Sequence, residues 1–199
     1  MMKRNTFLFT LLTFSHVTFA ESLSYDFVQL GFVDNQMAGL EEFEQTGPEI
    51  QFSATVFENV FVKGRYRNVD DSITGQNGLK HTVEERNWQF GVGYVFNINP
   101  QTNIDTSVNV GRFAIDLDTG TEIQRGDSNH HSIAANVRQM LTSNVELSGG
   151  LEWQFWEGSL EQKAYQLGAM YHYSDLSFGA QYTKYSDFGT CSIFARYAF

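Results

Sequence analysis

Short stretches of alternating apolar and polar residues recur along the whole chain. Between 49 and 57, Ile50, Phe52, Ala54 and Val56 interleave with Glu49, Gln51, Ser53 and Thr55. Trp88, Phe90, Val92, Tyr94 and Phe96 share one parity, as do Val145, Leu147, Leu151, Trp153 and Phe155, and then Leu176, Phe178, Ala180 and Tyr182. A period of two places each set on one face of a β-strand. The pattern predicts an all-β chain with ten strands, at 22–33, 49–57, 60–69, 86–97, 102–115, 129–141, 144–156, 163–173, 176–185 and 190–199. Each is near or above the roughly 9–11 residues that a tilted strand needs to cross hydrocarbon.

The connections alternate in length. Long ones fall at 34–48, 70–85 and 116–128, shorter ones at 157–162 and 186–189, and tight turns at 58–59, 97–101, 142–143 and 174–175. Pro48 and Pro100 sit in connections, where a missing N–H breaks no ladder. Charge recurs on the polar face in strand after strand, and no helix covers the apolar one. That arrangement points to a transmembrane antiparallel up-and-down β-barrel with apolar residues outward. The strand count is ten, or eight if one hairpin lies above the membrane.

The first residues belong to something else. Lys3 and Arg4 precede an apolar centre from Phe7 to Phe14, and Ala20 precedes Glu21, the layout of a secretory signal peptide over 1–20. The apolar run is shorter than the roughly 20 residues of a membrane helix. Residues 21–199 then form one domain. Its 14 Phe, 9 Tyr and 3 Trp suit an outward surface in lipid better than a soluble core. Cys191 is the single cysteine, so no internal disulfide can form.

The chain ends on an alternating stretch, Cys191 to Phe199, in which Ile193, Ala195, Tyr197 and Phe199 share a face. This ending resembles the closing strand of small Gram-negative outer-membrane β-barrels of the OmpA and OmpX kind. In those barrels a terminal aromatic and a second one two residues earlier serve as the assembly signal, here Phe199 and Tyr197. The resemblance implies an outer-membrane location with both termini periplasmic. The partners it implies are outer-membrane lipid, lipopolysaccharide, periplasmic chaperones and the barrel assembly machinery. It implies no cofactor and no particular task.

Charge adds detail. Without Lys3 and Arg4, 11 basic residues face 23 acidic ones, a net of −12. By parity, Lys63, Arg65, Arg67, Arg138 and Arg196 point into the lumen with Asp26, Glu49, Asp105, Glu146 and Glu152, joined by Gln89, Asn136, Gln166, His172 and Gln181. Equal numbers of opposite charge in a narrow tube predict a paired polar plug. The alternative is a narrow porin-like channel for small solutes, with Lys63, Arg65 and Arg67 as an anion-attracting strip. Arg86, Arg112, Lys163 and Lys184 take lipid parity at the extracellular strand ends, the height of lipopolysaccharide phosphates. Fifteen acidic residues lie in extracellular loops against Lys80 and Arg125, which disfavours nucleic acid and would attract divalent cations.

Candidate catalysis is confined to His130 and Ser132, two apart on one strand face, as a base and a nucleophile must be. A His-x-Ser pair is similar to that of outer-membrane lipid A deacylases, but there it faces lipid near the chain's end. Asp127 beside His130 is a thin likeness to the acid-histidine couple of omptin proteases. His130 and His131 point to opposite faces and suit no metal. The reading is therefore a non-catalytic surface barrel, structural or adhesive. A solute channel comes second and a lipid esterase third.

Overall fold

The computed structural model describes residues 23–37, 44–74, 80–158, 160–186 and 188–199. The signal peptide expected over 1–20 lies outside the described residues. Ten strands follow in order: β1 (Phe27–Met37), β2 (Glu44–Phe57), β3 (Val60–Thr74), β4 (Lys80–Asn99), β5 (Thr102–Asp118), β6 (Ile123–Met140), β7 (Val145–Trp156), β8 (Leu160–Tyr173), β9 (Leu176–Lys184) and β10 (Phe188–Ala198). Every neighbour is antiparallel, and β1 closes on β10, with Phe27 opposite Ala198 and Met37 opposite Phe188. The sheet has no free side around its middle. The eight-strand alternative is thereby excluded.

Followed once around the ring, the pairing returns to β1 displaced by about twelve residues, which for ten strands sets a tilt of about 40° and a backbone radius of about 10 Å. A tube this wide admits side chains from opposite walls and little else. On β4 the outward set runs from Trp88 to Ile98 and is exposed throughout. At that tilt its ten steps span about 25 Å of height, the thickness of the apolar band of an outer-membrane barrel. Aromatics mark both borders. Tyr66, Trp88, Trp153, Tyr165 and Tyr182 lie toward the loop end, and Phe57, Phe96, Tyr173, Tyr197 and Phe199 toward the end where β1 begins and β10 finishes. Phe52, Phe90, Leu147 and Phe178 are all exposed rather than gathered in an interior.

Two expectations need correction. The long connections at 34–48, 70–85 and 116–128 are mostly strand, since β3 pairs with β4 out to Thr74 and Lys80, and β5 with β6 out to Asp118 and Ile123. The apolar alternation stops where lipid stops, but backbone pairing does not need lipid, so the ladders run on into water. The acidic residues assigned to loops are largely carried on these extensions.

Pro48 also lies inside a strand, opposite Phe32 of β1. On its other side the β2–β3 pairing passes from Thr46–Asp70 to Glu49–Arg67 and skips Gly47 and Pro48, so the absent N–H costs no bond there. Gly47 is needed at this point, because a Cβ would stand 2.0 Å from the Asn68 carbonyl oxygen.

If the apolar face meets hydrocarbon, a charge in mid-belt is costly in lipid. Val92→Arg should destabilise the barrel by about 2–4 kcal/mol in urea unfolding from phospholipid vesicles. An unchanged midpoint would contradict the outward assignment.

Candidate functional site: the filled lumen

The inward positions of all ten strands converge on a polar interior, which β6 traverses from Met140 at the terminal end through Arg138, Asn136, Ala134 and Ser132 to His130. The floor is apolar. Tyr25, just ahead of β1, lies with Phe61 and Val95 in a buried cluster, its ring 4.9 Å from that of Phe61.

Directly above sits a two-pronged ion pair. Arg138 donates from Nε and Nη2 to the two oxygens of Glu146, at 2.7 and 2.8 Å, and from Nη1 to the Ser24 carbonyl at 2.9 Å. Glu146 also meets His172 Nε2 at 3.1 Å, and His172 Nδ1 meets Ser177 Oγ at 2.9 Å. Alongside, Asp105 accepts from the Tyr25 hydroxyl at 3.0 Å and from Asn136 at 2.9 Å. Arg196 donates twice to Gln29 Oε1 and lies 3.9 Å over the Phe27 ring.

Amides fill the middle. Gln89 donates to Glu152 at 2.9 Å and to Ser132 Oγ at 3.2 Å, and Asn109 donates to the same Oγ at 3.0 Å. Gln181 donates to Gln166, which in turn donates to Asn136. Toward the loop end Arg67 holds Glu49 through Nε and Nη2 at 2.9 and 2.7 Å, with Gln51 donating to the same carboxylate. Trp156 closes this end, edge-on to Phe113 and 4.6 Å from the His130 ring. A central cavity of about 180 Å³ remains, with Lys63 and Arg65 on one wall and Asp105 and Glu152 on another, and a second of about 550 Å³ lies at the floor against Tyr25, Phe61 and Val95.

Nine of the ten charges expected in the lumen are there. The exception is Asp26, which has outward parity with Val28 and Leu30 and accepts the backbone N–H of Thr55 at the strand's end. Regular pairing of β1 with β2 starts only at Phe27, and from there the odd-numbered residues face inward, which leaves Asp26 outside. Its place is taken by Glu85, which the sequence pattern left in a loop. On β4 it points inward beside Arg67 and Arg65. The parity of Asn87 and Gln89, carried two residues back, is the signal that finds it.

Arg86, Arg112, Lys163 and Lys184 do point outward near the loop end. Arg86 is held by Asp116 at 2.6 Å and Arg112 by Asp127 at 2.8 Å, so two of the four already have carboxylate partners. Lys163 lies 4.5 Å over the Trp153 ring. Nearby, Asn129 donates from its side chain and its backbone to Glu157 in the β7–β8 turn, and these bonds hold that carboxyl below its ordinary pKa. Tyr197 and Phe199 are exposed on the outward face, and the Phe199 N–H donates to the Asp26 carbonyl.

His130 and Ser132 share the inward face as expected, yet they make no base–nucleophile pair. Ser132 Oγ is taken up by the two amides, and neither His130 nitrogen has a partner among the described residues. Glu146 belongs to Arg138 and His172, and Asp127 faces outward to Arg112. The Ser177–His172–Glu146 chain has the order of a catalytic triad. Its acid is already held by Arg138, Ser177 is 2 % exposed, and neither Ser177 nor His172 lines the central cavity. Among the described residues no three metal-ligating side chains converge, at the acidic rim or elsewhere.

No family model matches the sequence, and no curated protein matches it. Solved structures do. The NanC porin aligns with a TM-score of 0.53 at 8 % identity, over 86 % of this chain and 100 % of the porin chain. The β domain of the Bordetella autotransporter BrkA aligns at 0.53 with 10 % identity, over 87 % and 98 %. The fold is that of an outer-membrane β-barrel. Ail, the attachment invasion locus protein of Yersinia pestis, is also similar, at a TM-score of 0.44 and 12 % identity over 87 % of this chain and 97 % of Ail. At such identities the barrel's likeness is one of fold alone.

The Arg138–Glu146 pair gives a direct test of the interior. Arg138→Met should cost about 3–5 kcal/mol in urea unfolding, because Glu146 is left charged and buried; Arg138→Met with Glu146→Met should recover most of it.

Proposed function

We propose that the chain is a non-catalytic surface barrel of a Gram-negative outer membrane, structural or adhesive, with both termini in the periplasm and the long-strand end outside. The observation that carries this reading is the filled interior. Charged and amide side chains bond across the tube from Arg138–Glu146 to Arg67–Glu49, floored by Tyr25, Phe61 and Val95 and capped by Trp156. Breaking such a buried network costs several kcal/mol per pair, which a passing solute does not return. Phe199 and Tyr197 then serve assembly by periplasmic chaperones and the insertion machinery. Lys163 and Lys184, with no carboxylate partner among the described residues, are the rim cations left to meet lipopolysaccharide phosphate.

A narrow conduit is the second reading, because Lys63 and Arg65 line the cavity without an ion pair among the described residues, whereas Arg67 is bound to Glu49. Planar-bilayer recording with pure refolded protein separates the two. A plugged barrel gives no unitary steps at neutral pH. Steady anion-selective openings that vanish in Lys63→Gln with Arg65→Gln would establish the conduit instead.

A further inference from the structure

The wall of the barrel is uneven. The last β6–β7 pair is His130 with Trp156, yet β6 extends a further seven residues, Ile123–Asn129, with β5 on one side and, among the described residues, no strand on the other. β7 has turned away at Glu157, whose N–H donates to the Asn129 carbonyl. That bond fixes the direction of every group on this edge. Odd-numbered β6 residues aim N–H and C=O at the β7 side; even-numbered ones aim at β5, as Met140 does in donating to Gln101. Ile123, Arg125 and Asp127 therefore present three donors and three acceptors to open space, and residues 121–127 are exposed throughout. An unpaired edge of this kind is a template for another strand.

The side chains choose which strand. We infer that the occupant is the same segment of a second copy of this chain, paired antiparallel about Gly126. In that register Arg125 stands opposite Asp127 of the second copy, and Asp127 opposite its Arg125. Both are hydrogen-bonded pairs, as the parity of the edge requires. Gly126 meets its counterpart at the axis, in the non-hydrogen-bonded pair where Cα atoms come within about 4.5 Å. Sliding the register by two residues either way sets Arg125 against Arg125, or Asp127 against Asp127, and like charges directly opposed are unfavourable. Arg125 is free to engage, being 74 % exposed with one loose contact to Asp116 at 3.8 Å. Asp127 can keep Arg112 while it does so.

Membrane geometry then says where the pair forms. All copies in one membrane run β6 in the same sense along the membrane normal, with a tilt of about 40°, so two neighbours cannot align these strands antiparallel. Copies in two apposed membranes can. The contact is thus homophilic and bridges surfaces. It is smaller than the roughly 1,000 Å² of a stable interface, and it acts through arrays of copies rather than single pairs. This inference rests on the surface-barrel reading.

The test uses phospholipid vesicles carrying the full barrel with its loop end outward, followed by light scattering. Wild-type vesicles should aggregate as protein density rises. Arg125→Pro removes one N–H aimed at open space and none aimed at β5, so it should leave heat-dependent gel mobility intact and cut aggregation at least tenfold. Arg125→Asp vesicles and Asp127→Arg vesicles should each stay dispersed alone and aggregate when mixed. Dispersed wild-type vesicles, undiminished aggregation with Arg125→Pro, or mixed charge variants that remain apart would each overturn the pairing. Failure of the surface-barrel reading appears elsewhere, as unitary conductance, and leaves this measurement unaffected.

Discussion

A polypeptide inside hydrocarbon has no water to satisfy its backbone, and that constraint accounts for the architecture. Each strand here gives its N–H and C=O groups to two neighbours, and the chain's first and last strands satisfy each other over eleven paired positions from Phe27–Ala198 to Met37–Phe188. Closure fixes the strand number, strand number and stagger fix the radius, and the radius fixes what the interior can hold. Chemistry enters only after this geometry has been set.

The interior shows what a radius of about 10 Å permits. It is too wide for aliphatic side chains to fill as a core. Long polar side chains reach into the lumen and bond there, with Glu49, Asp105, Glu146 and Glu152 each finding an arginine, an amide or a hydroxyl. Arg138 is the clearest case, with Glu146 on one side, the Ser24 carbonyl on another and the Tyr25 ring 5.0 Å away. The same fork geometry would be unremarkable on a surface, where water screens it; in this interior it holds three strands and the amino-terminal segment in register.

Most of this was legible before any coordinates, because a two-residue period is the strongest signal a barrel writes into its sequence. Nine lumen charges, the ten strands and the aromatic ending all follow from parity. What escaped was tied to places where parity has no apolar partner to reveal it. Glu85 sits on a strand extension whose outward neighbours are polar, so it looked like loop. Asp26 precedes the first regular pair, so its face could not be counted. The Ser177–His172–Glu146 chain joins three different stretches of sequence, and only the pairing of β8 with β9 and of β7 with β8 brings them together.

The Gly47–Pro48 gap carries a consequence of its own. For two residues the β2–β3 boundary lacks the rungs present elsewhere, and the next pair down, Glu49 with Arg67, is fastened from inside by its side chains. A zip with two teeth missing parts first at that point, unless a clasp sits beside it. The interior electrostatics therefore decide how readily the wall parts sideways toward lipid, and the seam's integrity depends on two side chains that never touch the membrane.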